Sequence, residues 1–129
     1  MNSFNKQIIV SNKHIDNLNH VNNIKYLKWA QNIAKAHWNY LIKDLDNEFG
    51  LWVVRHHDVK YRLSAKLGDI IQISTYVNNI RGPLSERIVQ FKSTENKIIV
   101  EVKTQWCYIK NNKPVNIPNI IIDLFKVSN

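Results

Sequence analysis

The chain has 129 residues, 44% of them hydrophobic and 22% charged, which is enough apolar material for one domain with its own core and too much for a disordered segment. Eighteen Lys and Arg against ten Asp and Glu leave a net charge of +8, but the basic residues are scattered, so the surface attracts anions without the clustered footprint of a nucleic-acid binder. Cys107 is the only cysteine and excludes an internal disulfide framework; no apolar run approaches the roughly 18–20 residues that cross a bilayer, and MNSFNKQIIV carries no export-type apolar stretch. The expectation is a cytoplasmic protein with no membrane and no nucleic-acid partner.

Neither a Gly/Ser-rich linker nor an internal repeat divides the sequence, which reads as a single domain over residues 1–129. Residues 7–11 (QIIVS) form a short strand, and a polar loop follows from residue 12 to about 21. From Asn22 or Asn23 to about Leu45 the period is helical. Leu27, Ala30, Ala34, Trp38 and Leu41 make one stripe, and Tyr26, Trp29, Ile33, Ala36 and Tyr40 the adjacent one. Lys25, Lys28, Asn32, Lys35, Asn39 and Lys43 leave only a narrow polar edge. So wide an apolar arc has to be wrapped by other elements.

Beyond residues 47–50 the period becomes that of strands, over residues 51–61, 69–78, 84–93, 98–109 and, briefly, 114–117. Asn-rich turns separate them, at residues 78–83, 94–96 and 111–112. Residues 117–126 close the chain as a helix with Pro118 in its first turn. Connections this short imply antiparallel pairing, and a sheet this long twists and curls. The fold class is α+β, an antiparallel β-sheet wrapped around one long central helix.

The stretch DNLNHVNNIKYLKW, from Asp16 to Trp29, lies where the loop meets the long helix. The first N–H groups of a helix have no internal partner and carry partial positive charge. They are satisfied by an Asn or Asp cap, or they hold an anion or a polarised carbonyl. On the first reading Asn22 or Asn23 is the N-cap and Asp16 orders the loop. On the second, Asp16 supplies chemistry and the helix end assists it.

The pattern Asp-x-x-x-His-Val-Asn-Asn-x-x-Tyr-x-x-Trp, at Asp16, His20, Val21, Asn22, Asn23, Tyr26 and Trp29, resembles the signature of hotdog-fold thioesterases. It is similar to the 4-hydroxybenzoyl-CoA thioesterase-like branch, and HVNNIKYLKW is close to plant acyl-ACP thioesterases. Residues 53–77, with a Gly68-Asp69 turn, then Arg81-Gly82 and Ser85, Trp106–Ile109 and Lys113–Val115, resemble the family's later strands, so the likeness spans nearly the whole chain. It implies hydrolysis of an acyl-CoA or acyl-ACP thioester to a free acid and a thiol, at a site shared between subunits of a homodimer or homotetramer. It makes Asp16 the catalytic carboxylate, as nucleophile or as general base toward water. His20 and Asn23 would orient the water or the carboxylate. Backbone N–H groups near Val21, Asn22 and Asn23 would polarise the thioester carbonyl, and Tyr26 and Trp29 would line the acyl pocket or simply the core. Three departures stand out: Asn19 replaces a frequent glycine, Leu18 replaces an asparagine of the plant enzymes, and no counterpart of their downstream glutamate is found in residues 53–69.

Arg55-His56-His57-Asp58 lies in an alternating strand, so one of the two histidines faces inward; His57 is taken as the pocket-facing one. Coenzyme A would be held by scattered basic residues such as Arg81. His14, Asp16 and His20 have no ligand spacing on a helix and no further Cys/His cluster supports them, so no metal is expected. No phosphate loop or Gly-x-Ser-x-Gly pattern occurs, and no cofactor is expected. The alternative class is a hotdog protein that binds acyl groups without hydrolysing them; the presence of Asp16 favours hydrolysis.

Overall fold

A computed structural model describes residues 2–127. Strand β1 (Ser3–Ile9) is followed by a single 3-10 turn (Asn12–His14) and the long helix α1 (Asn23–Ile42). Four strands come next, β2 (Leu51–Tyr61), β3 (Ile70–Arg81), β4 (Leu84–Lys92) and β5 (Ile98–Lys110), and then a two-residue β6 (Lys113–Pro114) and the short α2 (Asn119–Phe125). The sheet runs β1-β3-β4-β5-β2 with every pair antiparallel, and β6 pairs with the end of β5.

The helix is wrapped because its buried residues, Tyr26, Ala30, Ile33, Ala34 and His37, recur every three or four positions along one face. Small side chains at Ala30 and Ala34 let the backbone lie close to the sheet. The inward face of the strands meets it in two clusters. Near the start of α1, Tyr26, Ala30 and Ile33 pack with Ile71, Ile73, Val89, Phe91, Val100 and Val102. Near its end, Trp38 and Leu41 pack with Val77, Tyr108, Ile121 and Phe125, so that α2 closes the second cluster.

Several boundaries differ from those read in the sequence. The first strand is Ser3–Ile9, not residues 7–11, because β1 pairs with β3 from Ser3↔Tyr76 to Ile9↔Ile70. Its outward residues are polar at Ser3, Asn5 and Gln7 and apolar only at Ile9, and the ladder is carried by backbone groups that no hydropathy pattern marks. The helix ends at Ile42, short of Leu45. Residues 115–117 leave the sheet after Pro114, and Pro118 stands at the N-cap of α2 and not in its first turn. A bulge in β2 between Val54 and His56 shifts the inward set from Trp52 and Val54 to His57 and Val59.

Candidate active site

Asp16 begins a tight loop whose hydrogen bonds are nearly all local. Its own N–H donates to the carbonyl of His20 (2.8 Å), and Asn19 N–H donates to the carbonyl of Asp16 (3.1 Å). The carboxylate Oδ1 accepts from the N–H groups of Leu18 (2.9 Å) and His20 (3.2 Å). No described residue engages Oδ2. Asn19 takes the positive φ that this turn requires, 61°, which asparagine tolerates better than most residues.

The loop is clamped from both sides. His14 ends the preceding 3-10 turn, and its carbonyl accepts from Asn22 N–H (2.8 Å). On the other side Val21 N–H donates to the carbonyl of Ala65 (2.8 Å), and His20 bridges to Lys66. Lys66 belongs to the Gly68-Asp69 turn, where Asp69 Oδ2 accepts its N–H at 2.9 Å. Asn22 is the N-cap, its side-chain oxygen accepting from Ile24 N–H (3.1 Å). The N–H groups of Val21 and Asn22 are therefore taken up, which corrects the expectation that they face a substrate carbonyl. Asn23 N–H, at the first helical position, has no acceptor among the described residues.

Asp16, His20, Val21, Asn23 and Tyr26 line one cleft of about 370 Å³ together with Tyr61, Arg62, Leu63 and Ser64 from the end of β2. Tyr26 is buried among Trp29, Tyr61 and Phe91, and its hydroxyl has no partner among the described residues. Burial pushes that phenol up to about 12, so it remains protonated and can only donate or accept as a neutral group.

Four of the expected substrate-binding residues, Asn22, Trp29, His57 and Arg81, lie outside this cleft, Asn22 because its side chain caps the helix. Trp29 packs edge-on against His14 and Tyr26 and lines a separate cavity with Lys6 and Ile8, because it stands three residues further along α1 than Tyr26, on the side of β1. His57 points to the helix, with Nδ1 at 2.9 Å from Thr104 Oγ1 and Nε2 at 3.3 Å from Gln31 Nε2. Arg81 ends β3 and so lies about 35 Å along the strand from the Gly68-Asp69 turn that supports the loop.

Sequence reasoning missed a polar cluster beneath the helix. Arg87, 4% exposed, reaches His37, 1% exposed, through Nη1 to Nδ1 at 2.9 Å, and the same Nη1 donates to Thr75 Oγ1 at 3.1 Å. The signal was present in the strand register: in LSERIVQFK the residues Ser85, Arg87, Val89 and Phe91 alternate onto the core face, which places a guanidinium inside. Burial, and then the neighbouring Arg87 charge, hold His37 down at about 4, so it is neutral at pH 7 with Nδ1 as acceptor. The unfolded chain takes up this proton near pH 6.5, and the folded chain only near pH 4. Between those values the unfolded state binds more protons, so stability is full above about pH 6.5 and falls by roughly 2–3 kcal/mol as the pH drops to about 4. Burial lowers His14 and His57 in the same direction. Thermal unfolding between pH 7 and 4 checks this: a His37→Gln variant should show a shallower decline, and identical slopes would remove His37 as the source.

Among the described residues no group of three His, Cys, Asp or Glu side chains is gathered as for a metal ion, and no helix is long and apolar enough to cross a membrane. Residues 10–125 match the sequence pattern of the thioesterase-like superfamily. No curated protein matches the chain. Its fold is similar to that of a predicted thioesterase from Bacillus stearothermophilus, with a TM-score of 0.84 at 15% identity over 97% of this chain and 95% of the other. It is also similar to a thioesterase from Thermus thermophilus in complex with coenzyme A and zinc, with a TM-score of 0.81 at 17% identity over 95% and 91% of the two chains. A third similar structure is a 1,4-dihydroxy-2-naphthoyl-CoA thioesterase from Synechocystis, with a TM-score of 0.80 at 10% identity over 97% and 96%. These likenesses establish the hotdog architecture, a sheet wrapped around its long helix.

Proposed function

This chain belongs to the thioesterase-like superfamily, and we propose that it hydrolyses an acyl-CoA thioester with Asp16 as the reacting carboxylate. The observation that carries the reading is the asymmetry of Asp16 in the wall of the cleft: Oδ1 is fixed by two backbone N–H groups, while Oδ2 has no partner among the described residues. A carboxylate held by one oxygen and exposed at the other is oriented yet still able to react. Oδ2 either attacks the carbonyl carbon, forming a mixed anhydride that water then cleaves, or takes the proton of an attacking water. Both routes break the C–S bond, release the acid and leave a thiolate that takes up a proton. Asn23 N–H, with the positive end of α1 behind it, is the donor placed to stabilise the developing oxyanion. His20 and the Asn23 side chain border the same cleft and orient the water or carboxylate. The Tyr26 hydroxyl supplies a neutral hydrogen-bonding group in its wall.

Coenzyme A is favoured as the thiol because two of the similar structures are described with it or its ester, and the +8 net charge suits an anionic carrier. A second copy of the chain is part of this reading. β2 is an eleven-residue edge strand with Leu51, 73% exposed, and Val53 at its outward start, and an unpaired strand edge of that length is ordinarily covered. Thiol release from short, long and aromatic acyl-CoAs tests the proposal, with turnover expected on at least one class. Turnover on acyl carrier protein esters alone would replace the carrier. No turnover on either carrier, with acyl groups still bound, would make the protein an acyl binder.

A further inference from the structure

At the other end of the molecule from Asp16, a cavity of about 280 Å³ opens between the second half of α1, the start of β2 and the inner face of β4 and β5. Its walls are apolar and mostly aromatic: Trp38, Trp52, Trp106 and Phe125, with Ala34 and Leu51. Two cations, Arg87 within and Lys35 at the exposed rim, line it together with Asn39 and Ser85, and no carboxylate does. Arg87 forms no ion pair among the described residues; its Nη1 is engaged by His37 and Thr75, and the rest of its five-donor fork has no described acceptor. The unmet hydrogen-bonding demand around it has one sign. His37 accepts at Nδ1 and so carries its hydrogen on Nε2, which finds no acceptor among the described residues, and the indole N–H groups of Trp52 and Trp106 find none either. A buried guanidinium is ordinarily matched by a carboxylate or phosphate, since its charge is costly inside a protein without one.

We propose that this cavity binds a carboxylate carried on a compact apolar body, with the carboxylate paired to Arg87 and the body against the indoles. The cavity has room for a ligand of about nine non-hydrogen atoms. Benzoate has that size, and flat aromatic walls suit a flat ring. The planar guanidinium fork matches a carboxylate in two parallel hydrogen bonds, which a phosphate dianion, bulkier and more strongly hydrated, gains less from in so apolar a cleft. Lys35 at the rim adds long-range attraction for the same charge. Such a carboxylate has two sources, a free acid or the far end of a carboxylate-tipped acyl group. The binding itself is independent of whether Asp16 hydrolyses thioesters.

Calorimetric titration of the whole chain with benzoate and with benzamide, its uncharged counterpart of equal shape, tests the site. Benzoate should bind saturably and at least ten-fold more tightly than benzamide, and an Arg87→Met variant should lose that preference. Equal binding of the two compounds, absence of saturable benzoate binding, or a preference unchanged in Arg87→Met would overturn the proposal. If Arg87→Met does not fold, the comparison on the unaltered protein still decides, together with shifts of the Trp52 and Trp106 indole N–H resonances on titration. Thiol release then separates the sources. A preference for hexadecanedioyl-CoA over hexadecanoyl-CoA, whose chains are long enough to span from Asp16 to the cavity along α1, marks the acyl group as the ligand. Benzoate binding without that preference marks a free acid, and if neither ester is turned over the titration still stands by itself.

Discussion

Asp16→Asn should lower kcat for thioester hydrolysis by about 10²–10⁴-fold, the range for loss of a positioned proton-transfer group, while KM and stability stay nearly unchanged. The reasoning rests on how the side chain is held. Oδ1 accepts from Leu18 and His20 N–H, and an asparagine oxygen can accept both bonds in the same place. The loop therefore survives, whereas the amide nitrogen that replaces Oδ2 can neither attack a carbonyl nor take a proton from water. Asp16→Ala differs in kind. It removes the acceptor as well and leaves two N–H groups of an exposed turn to water, which should cost about 1 kcal/mol in addition to the lost chemistry. Thiol release and denaturant unfolding measured on both variants separate the two effects. If Asp16→Asn keeps more than a tenth of the turnover, the carboxylate is not the reacting group.

Phe91→Ala should destabilise the domain by about 3–5 kcal/mol, the usual cost of emptying a fully buried aromatic site. Phe91 has no exposed surface and stands on β4 under the start of α1, edge-on to Tyr26 at 5.1 Å and tilted against Trp29 at 6.3 Å. Neighbours in a sheet wrapped around a helix cannot collapse into the space without shifting strands, so most of the cavity persists. The loss should also reach the site. Tyr26 is wedged between Phe91 and the cleft, and its freedom to rock would loosen the wall beside Asp16. Guanidinium unfolding gives the first quantity, and turnover at a temperature where the variant is still folded gives the second. A cost below about 1.5 kcal/mol, more typical of a volume-conserving core swap, would mean that the core relaxes there far more than its packing implies.

Much of the architecture could be read before any coordinates. The helical stripes of α1 and the four main strands follow from hydrophobic period, and β2 occupies the residues read for it, opening directly after Gly50. The loop from Asp16 to Asn23 is legible as a helix entry from its asparagines, and as a candidate site only through the resemblance of its motif to that of hotdog-fold thioesterases. The choice between His56 and His57 had no firm basis, because a bulge at Arg55 reverses which of them faces inward and one residue of slip changes the face of everything after it. The strand at Ser3–Ile9 was half hidden for a related reason: its pairing depends on backbone groups of β3, which every sequence possesses.

The sequence by itself determined the local grammar of this protein: which stretches have the period of a helix or a strand, where asparagine permits the turn at Asn19, and which carboxylate stands at the helix start. These follow from side-chain size, polarity and backbone preference within a few residues. Tertiary structure decided which groups meet. It took up the N–H groups of Val21 and Asn22 with carbonyls from Ala65 and His14, and left that of Asn23 without an acceptor among the described residues. It separated Trp29, His57 and Arg81 from Asp16, and it joined His37 to Arg87 across fifty residues of sequence. Contacts of that kind depend on sheet register and helix rotation, which are set by packing the whole core at once and are not properties of any one segment.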